Sequence, residues 1–294
     1  MKRPATPTTA ALALLAPSCV NGGKVIAHGA FVESARSLKR LLSLFGAGKT
    51  TPTQAQIPEG KRVYAIGDIH GRLDLLKKML AELTSDEARR PRRETTFIFL
   101  GDLIDRGPSS AAVIERLIDF ANERHARFIC GNHEEILRQL LQGHTHVTRM
   151  FTRIGGRETA LSYGLSERDY NDCDFDELPA LLTQLVPQRH REFFSAMEDM
   201  IVIGGYAFVH AGIEPGLALA GQDMHKTRWI RDEFTKAPGP FEKVIVHGHS
   251  ITADIDDQSH RIGLDTGAFR SGILSAMGFE STQRWAIRAF ARDV

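Results

Sequence analysis

From Lys61 onward the apolar positions alternate between two rhythms. Arg62 to Ile66 is a short run of strand character, and the segment after it places Leu76, Met79, Leu80 and Leu83 at helical spacing. The pattern then repeats. Thr96 to Leu100 predicts a second strand, and Ile114, Leu117 and Ile118 mark the next helix. Arg127 to Cys130 predicts a third strand, and Ile136, Leu137, Leu140 and Leu141 a third helix. Such alternation predicts a mostly parallel sheet covered by helices. Residues 144 to about 200 are helical in pattern and break the alternation, so they are expected to form an inserted cap. Beyond them the expectation is of strands only: Ile201 to Ile203, Tyr206 to His210, Lys243 to His247, Arg261 to Leu264, Ile273 to Met277 and Trp285 to Phe290, making a mixed or antiparallel sheet.

The first 60 residues differ in kind. Pro, Thr, Ala and Gly dominate, and one segment is periodic: Leu38, Leu41, Leu42 and Phe45 share a face opposite Arg36, Lys39 and Arg40. We expect a leader and linker over 1–60 with this short amphipathic helix, and one domain over 61–294. Gly46 to Thr50 reads GAGKT, but Ser43 stands where a P-loop needs glycine, and a helical pattern precedes it rather than a strand. Lys2 and Arg3 before the apolar run Ala10–Ala16 outline an export signal. That run is short and ends at Pro17, so a cytoplasmic location is expected.

Composition narrows the classes. The chain is 42% hydrophobic and 25% charged with a formal net charge of +1, so no overall field draws it to nucleic acid or to an anionic membrane. No run reaches the roughly 18 apolar residues of a membrane span. Cys19, Cys130 and Cys173 lie far apart and offer neither a disulfide framework nor a thiolate zinc site.

The chemistry sits at the predicted strand ends, where ligands bind in sheets of this kind. The first strand is followed by Gly67-Asp68-Ile69-His70-Gly71, the second by Gly101-Asp102-Leu103-Ile104-Asp105-Arg106-Gly107, and the third by Gly131-Asn132-His133-Glu134. Later strands end in Val209-His210-Ala211-Gly212 and His247-Gly248-His249-Ser250. Asp and His together suit Mn, Fe or Zn rather than soft metals. One carboxylate can bridge two ions about 3.5–4 Å apart, and the neighbouring glycines leave room for ions and phosphate. His144 and His146 are read as a solvated loop, and His247 as packing behind the ligand block.

These blocks resemble those of the calcineurin-like metallophosphoesterases, and within them the bacterial phosphoprotein phosphatases, from about Lys61 to the C-terminus. The resemblance implies an α/β (α+β) fold, a four-layer arrangement in which a central β-sandwich of two mixed sheets is flanked by helices. It implies two divalent metal ions, manganese by family habit with iron or zinc as alternatives. Asp68 and His70 would bind the first ion, Asp102 would bridge, and Asn132, His210 and His249 would complete the second. His133 would act as general acid, oriented by Asp105. Arg106 would grip the phosphate with a second arginine, Arg231 in the Trp229-Ile230-Arg231 segment, with Arg228 as fallback. Ile251 stands where broader superfamily members carry a further histidine, which leaves the first ion with fewer protein ligands. Gly155-Gly156-Arg157-Glu158-Thr159 is similar to a segment of the bacterial phosphatases and would belong to the cap near the substrate. Asp265-Thr266-Gly267 would form a turn supporting the site.

The implied activity is hydrolysis of a phosphoprotein or small phosphoester by direct attack of hydroxide generated at the metal pair. The alternative is a symmetrical bis(5'-nucleosyl)-tetraphosphatase. Asp105 favours monoesters: an alkoxide leaving group needs a proton from a His–Asp acid, whereas a nucleotide phosphate needs it less.

Overall fold

The computed structural model describes residues 55–291, which form two five-stranded sheets packed face to face and flanked by helices. The leader and the amphipathic helix expected over 37–45 lie outside the described residues.

The three β–α repeats build the first sheet. Strands β1 (Lys61–Ile66), β2 (Glu94–Phe99) and β3 (Ala126–Phe128) pair in parallel, and helices α1 (Leu73–Ala88), α2 (Ser110–Glu123) and α3 (Asn132–Leu141) follow them in turn. The predicted helical faces are the buried ones. Leu76, Met79, Leu80 and Leu83 of α1 are buried, as are Ile114 and Leu117 of α2 and Ile136, Leu137 and Leu140 of α3.

Period-two alternation sets the layers. On the sheet-one strands, Val63, Ala65 and Ile98 point toward the second sheet and pack with Ile201, Tyr206, Phe208, Val246 and Ile262. Tyr64, Ile66, Phe97 and Phe99 point the other way, onto the helices. A fully buried side chain of this size contributes about 1.5–3 kcal/mol, and a one-residue slip would exchange the two faces and misfit the packing on both sides of the sheet at once.

The segment between α3 and the second sheet is helical. It runs through a 3₁₀ turn (Thr145–Val147), α4 (Thr148–Ile154), α5 (Gly156–Ser162), α6 (Glu167–Asp172), α7 (Leu178–Leu185) and α8 (Gln188–Ser195). It does not keep a core of its own: Phe151, Ala160, Leu178, Leu182 and Phe194 pack into the same cluster as α1, α2 and α3.

The second sheet has the order β4 (Met200–Ile203), β5 (Tyr206–Val209), β6 (Val244–His247), β8 (Arg261–Gly263), β7 (Asp256–Asp257), with parallel pairs at β5–β6 and β6–β8. Two expectations are corrected here. The second half is not strands alone: short helices α9 (Met224–Trp229), α10 (Asp232–Thr235) and α11 (Ala268–Ser271) interrupt it. These are one-turn elements made by local bonds, such as the Asp223 carboxylate accepting from His225 N at 2.9 Å, and are too short to show periodicity. Moreover, the last strands do not join the second sheet. β9 (Ile273–Glu280) and β10 (Gln283–Phe290) cross back, and β9 pairs antiparallel with β1, extending the first sheet beyond β1.

Candidate metal centre

β1, β2, β3, β5 and β6 all end at one pole of the sandwich, and the segments that leave them carry the predicted residues. The backbone there is unusual. His70 (φ 47°), Asp102 (50°), Asp105 (70°), Arg106 (67°) and His249 (62°) are five of the six non-glycine residues in the left-handed region among the described residues. Each such conformation costs about 1–3 kcal/mol and persists only where its surroundings hold it.

The surroundings do hold it. Ile69 N and His70 N donate to Asp102 O at 3.1 and 2.9 Å, tying the first loop to the second. The Glu134 carboxylate accepts from the backbone N–H of Asp102 and Leu103 (2.8 Å each), Gly131 (3.0 Å) and Ile104 (3.3 Å), tying the second loop to the third. Gly248 N donates to His210 O at 2.7 Å. Close approach dictates two glycines: a Cβ on Gly131 would lie 2.2 Å from Asp102 Oδ1, and one on Gly248 would lie 2.0 Å from Asp68 Oδ1.

The six predicted ligands are brought together. His70 Nε2 lies 3.6 Å from Asp102 Oδ2, and His210 Nε2 lies 3.3 Å from Asp102 Oδ1. Asn132 Oδ1 and His249 Nδ1 lie 3.1 and 3.2 Å from His210 Nε2, and Asp68 accepts from His249 N at 3.1 Å. All six are buried. Two rings are oriented from behind: His70 Nδ1 donates to Ile104 O at 2.9 Å and His210 Nδ1 to Leu100 O at 2.8 Å, so each presents Nε2 to Asp102.

The donor set fits divalent cations. The ligand atoms of Asp102, His210 and His249 lie within 4.8 Å of one another, and so do those of His70, Asp102 and His133. Asp102 is common to both groups, as a bridging carboxylate would be. The electrostatics agree. Burial, then the nearby charges of Asp265 and Asp102, push the Asp68 carboxyl well above its ordinary range. Burial and Asp102 raise Glu134 to about 7. Burial and the neighbouring His210 push His249 down to about 2, and the buried Nε2 of His249 has no hydrogen-bond partner. Four buried acids packed among imidazoles call for a positive charge among them.

Beside this cluster, His133 Nδ1 lies 2.6 Å from Asp105 Oδ2. Burial pushes the His133 imidazole down, but the carboxylates of Asp102 and Asp105 outweigh it and hold its pKa above the ordinary value. Arg106 reaches across the mouth and donates to His70 Nε2 at 2.8 Å and to His133 Nε2 at 3.0 Å. Arg231 donates to His249 O at 3.3 Å and lines a cavity of about 400 Å³ with Ser250, Ile251 and Thr252. Arg228 is held elsewhere, on Asp199 and Glu135. His247 is buried against Phe234, with ring centroids 5.1 Å apart.

Sequence reasoning assigned no role to Glu134, although a signal was present: an acid three residues after the Gly131 N-cap can accept from the cap N–H. Thr159 was placed only in the insertion, and its hydroxyl donates to Asp105 Oδ1 at 2.6 Å. Asp265, expected as a turn residue, does accept from Gly267 N at 2.9 Å and stands close enough to Asp68 to shift its titration.

Residues 61–287 match the family model described as calcineurin-like phosphoesterase. The chain is 26% identical over 240 residues to the asymmetrical bis(5'-nucleosyl)-tetraphosphatase PrpE of Oceanobacillus iheyensis, covering 74% of this chain and 88% of that protein. It is 27% identical over 223 residues to serine/threonine-protein phosphatase 2 of Escherichia coli, covering 73% and 91%. Among solved structures, a putative diadenosine tetraphosphatase shares the fold with a TM-score of 0.55 at 21% identity, over 80% of this chain and 99% of that one.

Proposed function

The chain belongs to the calcineurin-like phosphoesterases and is a hydrolase of phosphoester bonds, and within that family we propose that it is a serine/threonine protein phosphatase acting on phosphate monoesters. The observation that carries this reading is the buried pair of His133 and Asp105 at 2.6 Å. A serine or threonine alkoxide is a poor leaving group and needs a proton as the ester bond breaks.

In this proposal Asp68, His70 and Asp102 hold one divalent ion, and Asp102, Asn132, His210 and His249 hold the other, with manganese as the native metal. Such a pair supplies Lewis acidity and an ionised water near neutral pH. The protein's own residues do the rest. Arg106 and Arg231 bind phosphate oxygens and stabilise the charge that develops on them. Asp105 fixes the His133 ring and keeps its Nδ1–H, so that Nε2 faces the leaving oxygen and delivers the proton. The helical insertion forms a cap that bounds the substrate-binding face.

A second reading, cleavage of a dinucleoside tetraphosphate, is favoured by the likeness to PrpE and by the cavity beside Arg231, which could hold part of a nucleotide. The two separate in one comparison on the metal-reconstituted protein: hydrolysis of a phosphoserine peptide, a phosphotyrosine peptide and diadenosine tetraphosphate side by side. We expect kcat/KM to be highest for the phosphoserine peptide. A large preference for the dinucleotide would replace the first reading with the second.

A further inference from the structure

The geometry points to Thr159, on the inserted helix α5, as a positioning residue that holds Asp105 square to His133. This inference rests on the proposed acid role of His133. Asp105 is fully buried, and its two carboxylate oxygens have different partners: Oδ2 faces His133 Nδ1 at 2.6 Å, and Oδ1 accepts from Thr159 Oγ1 at 2.6 Å. The same hydroxyl accepts from Asp105 N at 2.9 Å, and Ser110 Oγ accepts from that N–H at 3.0 Å. Thr159 is itself fully buried and lies 2.9 Å from Ser110 Oγ. Its hydroxyl therefore grips Asp105 at both the backbone and the carboxylate.

Such a grip has a physical purpose. Asp105 stands in the left-handed region at φ 70°, followed by Arg106 at 67°, a pair of strained residues that relaxes if nothing holds it. With Oδ1 tethered, the carboxylate plane cannot rotate about its side-chain torsion, and Oδ2 stays aimed at the imidazole. Without the tether the carboxylate keeps its charge but loses its orientation, and the His133 ring follows it. The neighbouring turn holds Arg106 in the same way. Arg106 N donates to Gly155 O at 3.0 Å, and a Cβ on Gly155 would lie 2.8 Å from Arg106 N and Cγ. The insertion thus reaches the reaction from behind, through the residues that carry the acid and the phosphate clamp.

The test compares two leaving groups. Thr159→Val keeps the shape of the side chain and removes the hydroxyl, while Ser110 still accepts from Asp105 N. On a phosphoserine peptide, whose alkoxide needs a proton, kcat should fall about tenfold. On p-nitrophenyl phosphate, whose phenolate leaves unaided, it should fall about twofold or less. Thr159→Ser should restore the peptide rate. His133→Ala serves as the reference. If it separates the two substrates while Thr159→Val slows both equally or neither, Thr159 has no positioning role and the acid reading stands. If His133→Ala itself fails to separate them, the acid reading is what fails. Should Thr159→Val not fold, Thr159→Ala carries the same comparison.

Discussion

At the pole where β1 begins, charged groups meet opposite charge. Arg62 donates from Nε and Nη2 to Glu280, Arg93 adds a further bond to the same carboxylate at 3.0 Å, and Asp86 accepts from Tyr64 Oη, Arg90 Nε and Trp285 Nε1 at 2.7, 2.8 and 2.9 Å. Arg90 also lies 3.5 Å over the Trp285 ring. At the pole where β1 ends, Asp68, Asp102, Glu134 and Asp265 are buried within one cluster, and the loops that carry it are left-handed at five non-glycine residues. Both poles bury charge, but the first balances its acids with arginines, whereas the second gathers four buried acids around histidines and Arg106, which offset only part of that charge. Burial of an unpaired charge costs several kcal/mol. The second pole is therefore a place where folding accepts a cost that a bound cation offsets, and the first is where charge stabilises the fold itself.

The largest effect should come from removing the carboxylate shared by both candidate ion sites. Asp102→Asn should bind fewer metal ions than the wild type, which we expect to hold about two per chain, and should lose essentially all phosphatase activity. Metal analysis of the purified variant checks the first claim. A melting scan checks the second side of the comparison: added manganese should raise Tm in the wild type by mass action and scarcely move it in the variant. An unchanged metal content would remove the basis for the assignment.

Next in size is Arg106→Ala. It should lower kcat/KM on a phosphomonoester by about 10²–10³-fold, the loss typical of one preorganised donor to a developing oxyanion, with metal content kept. Steady-state kinetics beside metal analysis decides it; loss of the ions along with the activity would make Arg106 a structural part of the metal site instead.

At the opposite pole the consequences should appear as stability, not turnover. Burial works to raise the Asp86 carboxyl, but bonds from Arg90, Tyr64 and Trp285 outweigh it and hold its pKa below the usual 3.8. The sign follows from that direction. The carboxylate binds its proton less readily in the folded chain than in the unfolded one, so its stabilisation is fully present above about pH 4 and fades as pH falls through the depressed folded value. Asp86→Asn should cost about 1–2 kcal/mol at neutral pH, with kcat unchanged, and the gap to wild type should close in acid. Urea titrations at pH 7 and pH 3 measure this; equal gaps at both would show that packing, not charge, is what Asp86 contributes. The smallest expected effect is that of Arg90→Ala, about 0.5–1 kcal/mol from the lost contact with Trp285 and the lost, partly exposed ion pair with Asp86, read in the same titrations.

Legibility in the sequence followed the range of the interaction. The candidate metal cluster was readable because Asp68, His70, Asp102, Asn132, His210 and His249 each follow a β run closely, and parallel strands in the two packed sheets deliver those ends to one pole. The helices α9 to α11 were not readable, because one turn is too short to show a period. The supporting contacts were harder still. Thr159 stands 54 positions from Asp105 and Glu134 stands 32 from Asp102, separations that no local pattern encodes.

By itself, then, the amino-acid order determined which Asp, His and Asn side chains gather at one pole and which faces of α1 to α3 are buried, because side-chain type and hydrophobic period are properties of neighbours along the chain. Only the tertiary structure decided that β9 and β10 return to extend the first sheet, that Arg228 is tied to Asp199 and Glu135 while Arg231 faces His249 O, and that the insertion grips Asp105 from behind. Those outcomes depend on which distant surfaces meet, and that is settled when the whole core packs.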